Sequence, residues 1–288
     1  MKILLDERAY AQKMMESHTL DEKDFYSDLF LLIKYLYSEG YRKAKIFEIL
    51  KDFNIDTDKY FELINKYIYR ASKKKLVQID YIPVTQKELD TIHNVKNAAK
   101  EKLLFTYLVL AKYNNLKSGK ENNNDWVNLE EKEIFKLARV ACSLTERDKM
   151  IYELKEDGYI SNSKKITSLN VKVLFVDDSS DPVLKITDMR ELGFQYQETM
   201  PNNLIRRCVS CGKPYKLKSK KCRAGLCPQC SDNGVKFVNG KRVKKCRVCG
   251  NEFFCNPLDK RSYLCPKHKK ELTRERARIR KQKSREKC

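Results

Sequence analysis

Eight residues of metal-ligand type recur in register across a 38-residue repeat near the C-terminus, and this constrains the chain more than any other feature. The first half reads Cys208-Val-Ser-Cys211-Gly212 and then Cys227-Pro228-Gln-Cys230. The second reads Cys246-Arg-Val-Cys249-Gly250 and then Cys265-Pro266-Lys-His268. The same offset aligns Tyr215 with Phe253 and Leu226 with Leu264. Two ligands separated by two residues can reach one tetrahedral ion from a tight turn, and Gly after the second permits the positive φ that closes the turn. The repeat also selects ligands from the eleven Cys. Cys222 and Cys255 have no Cys counterpart and read as free thiols, with Cys255 the competitor for the place of His268. The prediction is two structural Zn²⁺ ions per chain. Cys208, Cys211, Cys227 and Cys230 hold one; Cys246, Cys249, Cys265 and His268 hold the other. Each set fills all four tetrahedral positions and leaves none open for a reacting water. Segments this short cannot bury a sizeable core, so the ion supplies much of the folding free energy, roughly 10–16 kcal/mol in zinc-finger peptides.

Charge concentrates in the same place. Leu204–Cys288 carries 27 Lys/Arg against 6 Asp/Glu, which is the whole formal net charge of +21, while residues 1–203 carry 33 of each. A neutral body joined to a cationic module points to a polyanion, nucleic acid first. The candidate contacts are Lys218, Lys220, Lys221 and Arg223 in the first ribbon, with Lys241, Arg242, Lys244, Lys245 and Arg247 in the second. After His268 comes a run with no Gly or Pro that includes Arg274, Arg276, Arg278, Arg280 and Lys281. It reads as a protruding helix, or as an arm that becomes helical on a phosphate backbone. Its charges point all round, which suits backbone attraction better than base reading. Tyr215 and Phe253 occupy equivalent places and are expected to fill the small ribbon cores.

The neutral body reads as helical at first. Phe25, Leu29, Leu32, Ile33 and Leu36 share a helix face that ends at Gly40. A second helix carries Ile46, Ile49, Leu50 and Phe53, and a third, capped by Asp56 or Asp58, carries Tyr60, Phe61, Ile64 and Ile68. An extended segment, Leu76–Pro83, follows. One long helix is expected over Gln86–Tyr113, then a polar loop over Asn114–Asp125 and a helix over Leu129–Val140. Ser143 and Glu146 form a capping box for a helix that Gly158 closes. Tyr159-Ile160 opens a strand, and Leu169–Val176 is its partner. Helices followed by a two-stranded hairpin give a winged-helix order, with Lys164 and Lys165 at the basic wing tip. The helix Thr145–Asp157 is net negative, a poor match for a phosphate groove, so this region is expected to dimerise or dock a protein as readily as to bind DNA.

The expected fold class is mainly α with small β. A helical region spans 1–78, a winged-helix-like domain 79–203, tandem zinc ribbons 204–268 and a basic tail 269–288. The chain resembles uncharacterised proteins of phages and mobile elements in low-GC Gram-positive bacteria. The resemblance rests on Ile79-Asp-Tyr-Ile-Pro-Val-Thr85, Tyr107–Tyr113, Glu133-Ile-Phe-Lys136, Val173-Leu-Phe-Val-Asp177 and the Cys-x-x-Cys-Gly segment. It implies a bacterial host cell as the setting and no particular activity.

No phosphate-binding loop, dinucleotide Gly motif or Gly-x-Ser-x-Gly is present. Of the three His, His18, His93 and His268, the last is assigned to zinc. The acidic group Asp177-Asp178 and Asp181 reads as a turn after a strand ahead of a Mg²⁺ site. Met1-Lys2 precedes only three apolar residues before Asp6, and the longest apolar stretches are too short to span a bilayer. The expectation is a non-enzymatic, cytoplasmic nucleic-acid-binding protein, DNA ahead of RNA, acting in transcription regulation or replication. The alternatives are an adaptor that docks on a host complex such as RNA polymerase, and a nuclease or replication enzyme with an unrecognised carboxylate site.

Overall fold

The structure is a computed structural model. It describes residues 3–22, 24–163, 170–201, 203–217, 219, 225–232, 237–238, 241–255 and 263–285, without the side chains of 232, 237, 238, 241, 242, 276, 281 and 283–285. About half of the chain is helical, and the sheets are small. The described residues form two compact units. One comprises Met1–Arg206 with Lys213–Cys222, the other Arg207–Gly212 with Arg223–Cys288.

The first unit holds two apolar cores. Four helices build the N-terminal one: α1 (Glu7–Ser17), α2 (Phe25–Ser38), α3 (Lys43–Asp52) and α4 (Phe61–Ala71). The expected face of α2 is there, and Leu29, Leu32, Ile33 and Leu36 are fully buried with Ile46, Leu50 and Ile64. Gly40 ends α2 at φ 86°, a conformation that favours glycine. Asp56 Oδ1 accepts the Lys59 N–H at 3.0 Å ahead of α4. Helix α1, which the apolar pattern does not announce, is capped by Asp6, whose carboxylate accepts the Ala9 N–H at 2.8 Å.

The second core forms around one helix. β1 (Ile82–Thr85) leads into α5 (Gln86–His93), and α6 runs Ala98–Ser118. The single helix expected over Gln86–Tyr113 is therefore two. Asn97 accepts the N–H groups of Ala99 and Lys100 and starts α6 afresh, and Lys96 before it lies at φ 53°. Every residue from Leu103 to Tyr113 is buried, so α6 is enclosed on all sides. The expected polar loop is also corrected: α6 continues to Ser118, and α7 (Lys120–Asn123) follows. Asn115 Oδ1 draws this segment in by accepting from Asn123 Nδ2 and the Asp125 N–H.

The chain then gives β2 (Trp126–Val127), α8 (Glu131–Leu137), α9 (Leu144–Glu156), β3 (Ile160–Asn162) and β4 (Val171–Val173). The Ser143–Glu146 capping box forms as expected, and Gly158 lies at φ 76°. The three strands make an antiparallel sheet in the order β2-β4-β3. The strand expected over Leu169–Val176 is shorter, because the chain leaves the sheet at Leu174 and the Asp177 N–H is taken by Glu88 Oε1 at 2.8 Å. β5 (Pro182–Ile186) pairs antiparallel with β1, placing Ile82 opposite Ile186. α10 (Leu192–Glu198) crosses the end of α8 so closely that a Cβ on Gly193 would stand 1.8 Å from the Ala138 carbonyl oxygen.

A buried polar knot joins these elements. Glu88, fully buried, caps α5 through the Thr85 N–H and pairs with Lys112 at 2.8 Å. Lys112 Nζ also donates to the carbonyls of Pro83 and Asp177. Asp177 accepts from the N–H and hydroxyl of Ser179 and from the hydroxyls of Ser180 and Thr85. These bonds, led by the Ser179 hydroxyl, hold its carboxyl well below the usual carboxylate range. Asp177 thus closes a turn, as its place after a strand suggested.

Candidate metal centres and basic surface

The strand that opens the cysteine-rich region, β6 (Ile205–Arg207), forms a two-stranded sheet with β7 (Pro214–Lys216). In the first unit, Tyr215 and Leu217 are buried, and Lys213 pairs with the carboxylate of Glu191 at 2.7 Å. The second unit adds α11 (Pro228–Asp232), a sheet in the order β10-β9-β8, and α12 (Pro266–Arg285). Its strands are β8 (Phe237–Val238), β9 (Lys241–Lys245) and β10 (Glu252–Cys255).

Two groups of ligand atoms converge in the second unit. Cys208, Cys211, Cys227 and Cys230 form one, and Cys246, Cys249, Cys265 and His268 the other. Within each group all ligand atoms lie within 4.8 Å of one another. The Sγ atoms of Cys211 and Cys227 are 3.8 Å apart. Zn–S bonds of about 2.3 Å at tetrahedral angles require an edge of about 3.8 Å. His268 turns Nδ1 toward the thiols, 3.2 Å from Cys265 Sγ and 3.4 Å from Cys246 Sγ. A mixed S/N edge around zinc is about 3.6 Å, so the ring is placed to ligate through Nδ1. Its Nε2 faces Glu271, one turn along α12, at 3.8 Å, the side from which a carboxylate steadies a ligating imidazole. Cys255 stands outside both groups. The donors fit two structural Zn²⁺ ions, held by four Cys and by three Cys with His268.

The backbone repeats with the ligands. The Gly212 N–H donates to the Cys208 carbonyl at 2.8 Å, and Gly250 does the same to Cys246. Both glycines adopt positive φ, 69° and 72°. Val209 N–H to Gly225 O matches Arg247 N–H to Tyr263 O, both 3.0 Å. Ser231 N–H to Cys227 O matches Lys269 N–H to Cys265 O. Pro228 and Pro266 each begin a helix at the position where a missing N–H costs nothing. Each site is therefore a glycine-closed knuckle facing the first turn of a helix.

The knuckle amides favour thiolates. The backbone N–H groups of Cys227, Cys211 and Ser210 hold the Cys208 thiol down at about 6, against burial. Burial opposes the same effect at Cys246, but amides of Cys265, Cys249 and Val248 prevail and bring it to about 5. Cys230, hydrogen-bonded to the thiols of Cys211 and Cys227, is pushed up to about 12. Zn²⁺ displaces the protons that remain.

The predicted basic contacts divide. Lys164, Lys165, Lys218, Lys220, Lys221 and Arg223 lie outside the described residues, as does Cys222. Lys241 and Arg242 are on β9, and Arg276 and Lys281 on α12, by backbone alone. Lys245, Arg247, Arg274, Arg278 and Arg280 are exposed, and Lys244 is half-buried. Phe253 is buried, as its place in the repeat suggested, whereas Phe254 and Tyr263 are exposed. The Arg247 guanidinium lies over the Tyr263 ring at 5.0 Å. Among the described residues no helix is long and apolar enough to cross a membrane. Comparison with protein-family models, curated proteins and solved structures gives no match.

Proposed function

We propose that the protein binds nucleic acid, DNA ahead of RNA, through its metal-stapled C-terminal module. Helix α12 carries the reading: it starts at the second metal site, at Pro266, and extends to Arg285 with Leu272 its only half-buried apolar residue and Ile279 46% exposed. A helix with nothing apolar to bury gains little from packing, and its exposed Arg residues can meet phosphates. Phe254 and the Arg247–Tyr263 pair add faces on which a base can stack. The zinc ions hold this surface in shape and do no chemistry in this reading. The sequence resemblance supplies only the setting, a phage or mobile element in the cytoplasm of a bacterial host; the role we propose there is transcription regulation or replication.

The expected measurement is a gel shift over a salt series. Log affinity should fall linearly with log salt, with a slope of about −0.9 per phosphate contacted on duplex DNA. Removing residues 270–288 should shrink that slope. Binding absent at low salt, or indifferent to salt, would sink the proposal.

The second reading, an adaptor, draws on α9. The order α6, α7, β2, α8, α9, β3, β4 with sheet order β2-β4-β3 supports a winged-helix middle domain. In that fold α9 would be the recognition helix, yet it exposes Leu144 at 72% and Tyr152 at 60% among Glu146, Asp148 and Glu156. Apolar and acidic groups suit a protein surface, either a second copy or a host protein, better than phosphate. Charge reversal at Glu146, Asp148 and Glu156 leaves DNA affinity unchanged under this reading, and pull-down of RNA polymerase is lost. The nuclease reading predicts metal-dependent plasmid cleavage that disappears in Asp177→Asn.

A further inference from the structure

The two cores of the first unit leave a cleft between them. It consists of two adjoining cavities of about 400 and 700 Å³. Glu7, Phe30, Lys34 and Lys117 line both, so they are lobes of one depression. Such volumes fall in the range of small-molecule sites.

The lobes differ in chemistry. The first is aromatic, with Tyr26, Phe30, Tyr67 and Tyr113 in its wall. Tyr26 is 59% exposed, so one ring is open to a partner. Phe30 and Tyr67 meet edge to face with centroids 5.1 Å apart, and the Arg70 guanidinium covers Phe30 at 4.6 Å. The second lobe is cationic. Lys73, Lys74 and Lys75, exposed just after α4, line it together with Lys34 and Lys117. Its one carboxylate is already engaged: Glu7 pairs with Lys34 and accepts the Val77 N–H at 2.8 Å. Lys74, Lys75 and Lys117 form no salt bridge among the described residues. Like charges gathered in a concave wall focus a positive potential that attracts anions.

We propose that this cleft binds a nucleotide, its base against the aromatic lobe at Tyr26 and its phosphates against Lys74, Lys75 and Lys117. A ring that can stack in one lobe, and lysines without salt-bridge partners in the adjoining one, are what a base with attached phosphates requires. The ligand is either a free nucleoside triphosphate or the triphosphate end of a strand. The site is separate from the metal module and does not depend on the role given to it.

The test uses the zinc-loaded full chain and hydrogen exchange read by mass spectrometry, which separates cleft binding from phosphate attraction at the basic module. The probes are ATP, GTP, CTP, inorganic triphosphate, and a short oligonucleotide with a 5′-triphosphate or a 5′-hydroxyl. ATP or the 5′-triphosphate strand should protect segments 26–34, 67–79 and 110–117. Protection by the free nucleotide identifies the small ligand, and protection by the strand alone identifies its end. K74A/K75A/K117A should weaken this protection by tenfold or more. Tyr26→Ala should weaken nucleotide binding by about tenfold, the order of one base–aromatic stack, and leave inorganic triphosphate unaffected. All four side chains are exposed, and circular dichroism with zinc content checks that each variant folds. No protection of these segments at saturating nucleotide overturns the proposal. Protection equal for nucleotide and inorganic triphosphate and indifferent to Tyr26→Ala also overturns it, because the cleft is then a phosphate site only.

Discussion

The two units solve the stability problem by opposite means. The first buries Leu29, Leu32, Ile33 and Leu36 around one core and the whole run Leu103–Tyr113 around another. The second has little to bury: Cys208, Cys227, Cys246 and Phe253 are its buried members among the described residues. What orders it is a pair of four-donor groups whose geometry answers a tetrahedral ion. A chain organised by burial spends its apolar residues inward and can leave its surface neutral. A chain organised by metal needs only eight ligands and two glycines, and the rest of its surface is free to carry charge. That difference explains why the net charge of +21 sits entirely on one side of Leu204.

The sharpest way to break the comparison is to remove the metal. Chelation should release two zinc ions per chain and unfold the second unit, a loss on the scale of about 10–16 kcal/mol. The amides of Gly212, Ser231, Gly250 and Lys269 should lose exchange protection while those of Leu104–Lys112 keep it. A module that retains protection after complete zinc loss would show that burial, after all, orders it.

Next in size is Glu88→Ala, which strands Lys112 in a site where it is 3% exposed. Breaking a buried pair by deleting one partner costs about 3–5 kcal/mol. The melting temperature of the first unit should fall, and the zinc content should stay at two. Gly193→Ala follows, since its Cβ would meet the Ala138 backbone at 1.8 Å and force α10 away from α8. Overpacking of this kind costs about 1–3 kcal/mol. Denaturant unfolding of the first unit reads it, and an unchanged midpoint would mean that α10 shifts freely.

How far the sequence discloses each region follows the same division. Metal sites are specified locally, by ligands two residues apart and a glycine beside them, so the repeat could be read off directly and the hydrogen bonds repeat with it. The Ser143–Glu146 box was legible for the same reason. The Thr85–Glu88 box has the same spacing, and the expected helix start at Gln86 agrees with it. The break before α6 was hidden, because Asn97 looks like any helix-surface residue. The Glu88–Lys112–Asp177 knot was beyond reach, since its members are brought together across 24 and 89 residues. β5 gave no sign of pairing with β1, whose partner lies about a hundred residues away by chain and is set only by packing. The cleft is the extreme case: in sequence Lys73–Lys75 is only three adjacent lysines, and the meeting of two cores makes it a wall.

The smallest effect tests whether the body, too, uses local devices of the kind that dominate the module. Ser143 caps α9 by accepting the Glu146 N–H, while Glu146 accepts the Ser143 N–H at 2.8 Å. Ser143→Ala removes one of these bonds and should cost about 1 kcal/mol. For a unit of roughly 200 residues that is a fall of about 2–4 °C in melting temperature. The Glu146 carboxyl, held below its ordinary value by the Ser143 N–H and hydroxyl, should titrate closer to it in the variant. Because that pKa is depressed in the fold, its stabilising contribution is present above the unfolded value and is lost as pH falls through the folded one. The variant should therefore lose less stability than the parent on acidification through this window, and an NMR titration of Glu146 follows the same change directly. If Ser143→Ala cost as much as Glu88→Ala, α9 would depend on its local cap as heavily as the knuckles depend on zinc, and the contrast between the two units would narrow to one of chemistry alone.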